Sequence, residues 1–82
     1  MKDLDLKIIS AEKSLYQGKA TFVKLPGTEG NFSVHHNHAP LISSLQAGEI
    51  VYGKSVDTTE TVTISGGFVE VKQNVITVCV EQ

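Results

Sequence analysis

Three features of this sequence point to an all-β fold, a sandwich or a barrel. Apolar residues recur every second position, as in Leu4, Leu6 and Ile8 with Asp5 and Lys7 between them, which is the period of a half-buried strand. Short runs rich in β-branched and aromatic residues alternate with Gly, Asn, Asp or Pro along most of the chain. No window of a dozen residues keeps a helical period. Many short strands with frequent turn signals point to a sandwich or barrel.

The elements follow in order. "MKDLDLKIIS" opens with a strand whose acids and lack of a long apolar run exclude a signal peptide or a spanning segment. "KATFVKL" reads as a strand and "LPGTEGNF" as the turn after it, with Pro26 at the first turn position and Gly27 supplying the positive φ of a type II turn. "FSVHHNHAPL" follows, and Pro40 to Gln46 is the one candidate for a helical turn. "EIVYGK", "ETVTIS", "GFVEVK" and "VITVCV" then read as four more strands. "ISGGF" lacks both a P-loop lysine and a following helix, so its Gly-Gly reads as a tight corner rather than a phosphate cradle.

The last hairpin can be registered from sequence. A two-residue loop at Gln73-Asn74 sets Val71 opposite Ile76, Val69 opposite Val78 and Gly67 opposite Val80. Val69, Val71, Ile76, Val78 and Val80 then share the core face, and a slip by one residue would turn all of them outward. Phe68 and Cys79 fall on the other face, which is more apolar than solvent requires.

Size and charge narrow the function. Eighty-two residues make one domain, 1–82. A net charge of −2, no Lys/Arg block and no Trp argue against nucleic acid. The single cysteine cannot pair within the chain, which fits a reducing compartment. His35, His36 and His38 invite a metal reading, but adjacent residues of an extended chain face opposite ways, and two imidazoles are an incomplete shell. No stoichiometric metal and no cofactor are expected. Ser33, Ser43 and Ser44 have no patterned base and acid, and the six glutamates form no acid/base pair. The residues alone support a small β-domain that binds a partner.

The order of motifs adds to this. "IISAEKSLYQGKATFVKLPGTEGNFSV", then "HAPLISSLQAGEI", then "ISGGFVEVKQNVITV", resembles the epsilon subunit of F-type ATP synthases, called delta in mitochondria. The resemblance covers nearly the whole chain. It implies a small β-sandwich of about ten short strands. The family's C-terminal helical hairpin is absent from these 82 residues, which end at "VCVEQ" where it would start, in a short subunit or an isolated domain. If the chain is the natural full-length subunit, it has no helices to insert into the catalytic head, and inhibition by such helices is not expected.

The resemblance further implies a non-catalytic rotor subunit at the foot of the central stalk, peripheral on the cytoplasmic face of a bacterial plasma membrane. Its partners would be the gamma subunit and the c-ring, with the alpha/beta head reached indirectly and the membrane only through the complex. Candidate c-ring contacts carried over are Glu29, Gly30, Asn31 and Phe32. Many relatives have an acid where this chain has Asn31, so a charge-based contact there is not implied. Candidate gamma contacts are Ser10, His38 and Ser43. The family residue before "HAPL" is usually glycine; here Asn37, the non-glycine residue most tolerant of a left-handed backbone, takes its place. Backbone shape is thus the feature matched, and His35 and His36 look incidental. The alternative is a free-standing sandwich that binds a ligand or metal through the histidine loop.

Overall fold

Seven strands account for the chain in the computed structural model, which describes residues 3–55 and 57–82. They are β1 (Leu4–Ser10), β2 (Ser14–Ala20), β3 (Phe22–Gly27), β4 (Gly30–His35), β5 (Leu41–Gly53), β6 (Thr59–Lys72) and β7 (Val75–Glu81). Met1 and Lys2 of the opening stretch lie outside the described residues. Hydrogen bonding links all seven in the order β2-β1-β7-β6-β5-β3-β4. Neighbours pair antiparallel except β1 and β7, which run parallel with Leu6 beside Ile76 and Ile8 beside Val78.

The strands are fewer and longer than the sequence suggests. "ETVTIS" and "GFVEVK" are one strand of 14 residues, and "EIVYGK" is the end of one of 13. The segment Pro40 to Gln46 is not a helical turn: from Leu41 onward it pairs residue for residue with β6. Ladder hydrogen bonds and the burial of Leu45 override the weak local helical signal. "KATFVKL" is also split, because Thr21 leaves β2 and its amide donates to the Gly53 carbonyl at 2.9 Å.

Length shows that the sheet must fold over. A straight strand of 14 residues would run about 45 Å, yet the longest extent of the molecule is 32 Å. The bend is visible as a change of phase. In β5 the buried residues are Leu45, then Ile50 and Tyr52; in β6 they are Ile64, then Val69 and Val71. The inward face therefore switches parity where Leu45 pairs with Gly67 and Gly48 with Ile64. There the two long strands leave one layer and join the other, as corners of a sandwich do. One layer holds β2, β1, β7 and the halves of β6 and β5 nearest Phe68. The other holds β4, β3 and the remaining halves of β5 and β6. Gly66-Gly67 is a corner, as expected, but it lies inside a strand.

All seven strands contribute to one apolar core that includes Leu4, Leu6, Ile8, Leu25, Val34 and Ile50. The final hairpin has the register read from sequence, with Val71–Ile76, Val69–Val78 and Gly67–Val80 opposite. Its loop residues Gln73 (φ 53°) and Asn74 (φ 64°) are both left-handed, the requirement of a type I′ turn that matches strand twist. Val78 is fully buried. Val78→Ala is expected to cost about 1–3 kcal/mol through lost burial and the cavity left behind. An unchanged chemical-denaturation midpoint would contradict its place in the core.

Candidate interface surfaces

Two surfaces stand out as candidate interfaces, and the fold sets each by a different device. The first is the β3–β4 hairpin. Pro26 and Gly27 are not its turn: they are the last residues of β3, paired with Asn31 and Gly30, and Thr28-Glu29 forms the loop. The positive φ belongs to Gly30 (130°) rather than Gly27. Cross-strand pairing of Leu25 with Phe32 fixes this register, and it moves the turn two residues along. Pro26 lacks an N–H, and the β3–β5 ladder is interrupted between Lys24 and Gly27, which is where proline is tolerated in a sheet.

Close packing explains Gly27. A Cβ there would come within 2.9 Å of the Phe32 ring. Phe32 therefore lies over the hairpin backbone and packs against the core, half-buried, rather than standing free as an anchor. Glu29, Gly30 and Asn31 are exposed at the tip. The tip is held to β5, since the Thr28 amide donates to the Ser44 carbonyl at 3.2 Å and the two hydroxyls lie 3.0 Å apart. The four residues carried over as one contact thus divide into three exposed residues and one structural support.

The second surface is the outer face of the layer containing β1, β7 and β6. Register lays it out in rows: Ile9 beside Cys79, Cys79 beside Phe68, Phe68 beside Ser44. A shallow groove runs along the first three, lined also by Ser10, Ala11 and Gly67. Phe68 is 51% exposed and Ile42, one row away, 75%. Phe68 and Cys79 lie here as the hairpin register requires. Ile9 is an addition that the sequence did signal, as an apolar residue out of phase with Leu4, Leu6 and Ile8.

The candidate gamma contacts do not converge on one point. Ser10 lies at the rim of the groove, where its hydroxyl closes the β1–β2 turn by accepting from the Lys13 amide at 3.3 Å. Ser43 is three strands away on β5, about 14 Å by strand spacing. It faces the parity of the core, and its hydroxyl donates to the Ser44 carbonyl at 3.2 Å. His38 is in the loop between β4 and β5. These positions place the three at different parts of the sandwich rather than in one pocket.

The histidine loop is shaped by its backbone. Asn37 has φ 64°, the left-handed conformation expected of it. The His38 amide donates to the His35 carbonyl at 3.1 Å, and its Nδ1 lies 2.7 Å from the Ala39 carbonyl. A carbonyl only accepts, so Nδ1 carries the proton. The His35 ring stacks on Phe22 with centroids 6.4 Å apart. These partners turn the rings to different neighbours. Among the described residues, no three His, Cys, Asp or Glu side chains gather as a ligand set. The reading of the loop as a ligand or metal module is not supported.

Comparison with known proteins agrees in one direction. A family model described as "ATP synthase, Delta/Epsilon chain, beta-sandwich domain" matches residues 3–82. The ATP synthase epsilon chain of Campylobacter lari is 47% identical over 79 residues, which span 95% of this chain and 61% of that one. The epsilon chain of Polaromonas naphthalenivorans is 37% identical over 78 residues, 95% of this chain and 56% of that one. The chain therefore spans little more than half the length of these relatives. A chain of the Euglena gracilis mitochondrial ATP synthase, solved as OSCP/F1/c-ring, superposes with a TM-score of 0.90 at 18% identity. It covers 98% of this chain and 51% of its own length. A chain of the Tetrahymena thermophila central stalk and c-ring gives 0.80 at 13% identity, covering 96% and 63%. At those identities the likeness is one of fold.

Proposed function

This chain belongs to the ATP synthase delta/epsilon family, and on that premise we propose that it is a non-catalytic rotor subunit. It binds the gamma subunit and the c-ring, and so couples proton translocation to ATP synthesis. The match of the family's β-sandwich domain over residues 3–82 carries this reading. The chain performs no chemistry of its own. It is a single domain, peripheral on the cytoplasmic face of a bacterial plasma membrane, held there through the complex and reaching the alpha/beta head only through gamma.

The geometry supports a division of labour. The exposed tip Glu29, Gly30 and Asn31, tied to β5 through Thr28 and Ser44, suits the loops of a ring that turns with it. Phe32 holds that tip in shape from within. The groove along Ile9, Cys79 and Phe68, with Ser10 at its rim, suits gamma. An exposed apolar cluster of this kind marks a partner surface. Its contribution is burial and shape, which salt does not screen. The test is a pull-down with the cognate gamma subunit: this chain is expected to retain gamma, and failure to do so at any ionic strength would contradict the proposal.

A further inference from the structure

Two asparagines that are distant in sequence meet at one end of the sandwich. Asn37, in the β4–β5 loop, and Asn74, in the β6–β7 turn, both have φ 64°. The Asn37 amide donates to Asn74 Oδ1 at 2.6 Å, and Asn74 Nδ2 donates to Asn37 Oδ1 at 3.2 Å. Asn74 is itself anchored, because its carbonyl accepts from the Asp5 amide at 2.9 Å, where the parallel β1–β7 ladder begins with Asp5 beside Val75. Among the described residues, the hydrogen bonds that tie residues 36–40 to anything beyond 35–40 are the two to Asn74.

We infer that Asn74 is a positioning residue for the partner-binding loop, clamping Asn37 so that His38 is presented in one orientation relative to the β1–β7 layer. This rests on the reading of that loop as a gamma contact. Asparagine suits both ends. It tolerates the left-handed backbone that each turn demands, and the Asn74 side-chain amide offers a donor and an acceptor together, while the Asn37 side chain accepts. A loop already ordered before binding loses less freedom on binding, so the clamp acts on affinity rather than on a contact of its own.

The design of the test follows from the two bonds. Asn74→Gly keeps the left-handed turn and removes both. Asn37→Gly keeps the amide donor and removes one. Asn74→Asp keeps the acceptor for the Asn37 backbone N–H, and rotation of the Asn37 side-chain carboxamide can present its Nδ2 to the new carboxylate. In the free chain, exchange of the His38 amide is expected to be roughly tenfold faster in Asn74→Gly. Affinity for the cognate gamma subunit should fall roughly three- to tenfold, with the denaturation midpoint little changed. Asn74→Asp should stay close to the parent, and Asn37→Gly should lie between. The double glycine variant should bind no more weakly than Asn74→Gly alone. Unchanged exchange would overturn the clamp, and faster exchange with unchanged gamma affinity would overturn its positioning role. His38→Ala reports separately on the underlying reading, since intact gamma affinity there would remove the loop from the gamma interface whatever the exchange shows.

Discussion

Replacing Gly67 by alanine is expected to cost about 3–5 kcal/mol, combining a strained backbone with overpacking. For a chain of this size total stability is on the order of 4–12 kcal/mol, so the loss runs from about a quarter of the total to all of it. Gly67 has φ 150°, a conformation side chains rarely adopt. A Cβ there would be driven onto the Cys79 carbonyl and to 2.9 Å from the Val80 Cα. Both obstacles are backbone of β7, which cannot swing aside as a side chain could. The position is also where β6 passes from one layer to the other, so relief by local movement would disturb the corner. Gly30→Ala is the control. Its φ of 130° is also unusual, but a Cβ there meets nothing within 4 Å, so only the conformational cost of about 1–3 kcal/mol applies. Equal midpoints for Gly67→Ala and the parent in urea denaturation would show that the corner is not built as described.

The second large effect concerns binding. Phe68→Ser should lower affinity for gamma by roughly tenfold to a hundredfold, the range expected for truncating an aromatic at the centre of an interface. The fold should survive, because Phe68 is 51% exposed and lies on the outer face beside Cys79. Phe32→Ala is a poorer probe of the c-ring. Loss of that half-buried ring removes packing under the β3–β4 hairpin, so weaker ring binding would report a loosened tip as much as a lost contact. Substitutions at exposed Glu29 or Asn31 read the surface itself. Gamma affinity for Phe68→Ser equal to that of the parent would remove the groove from the proposed interface.

Legibility in the sequence differed from place to place for physical reasons. The β6–β7 hairpin is legible because both arms alternate strictly and a two-residue loop at Gln73-Asn74 brings their branched residues to the same face. The corner at Gly66-Gly67 looked like punctuation between strands, since local sequence does not reveal that a strand continues through a change of layer. Pro26-Gly27 suits a turn as well as a ladder interruption, and the choice was made by pairing of Leu25 with Phe32 across the hairpin. The helical turn at Pro40 to Gln46 gives way to six paired positions with β6, Leu41 to Gln46. At the candidate surfaces, Phe68 and Cys79 were legible as outward apolar residues. The Asn37–Asn74 clamp was not, because its partners are 37 residues apart and only the closed sandwich brings them together.

Burial rather than charge is the proposed basis of partner binding, and Glu81 is the one charged residue that lines the groove. The ion pair between Lys19 and Asp5, 2.6 Å, is on the exposed face of the β1–β2 edge, away from the groove. A titration of this chain against the cognate gamma subunit at low and at high salt separates burial from charge. Saturable binding whose affinity changes only modestly between the two is expected. Absence of binding, or binding abolished by salt while Phe68→Ser has no effect, would contradict it.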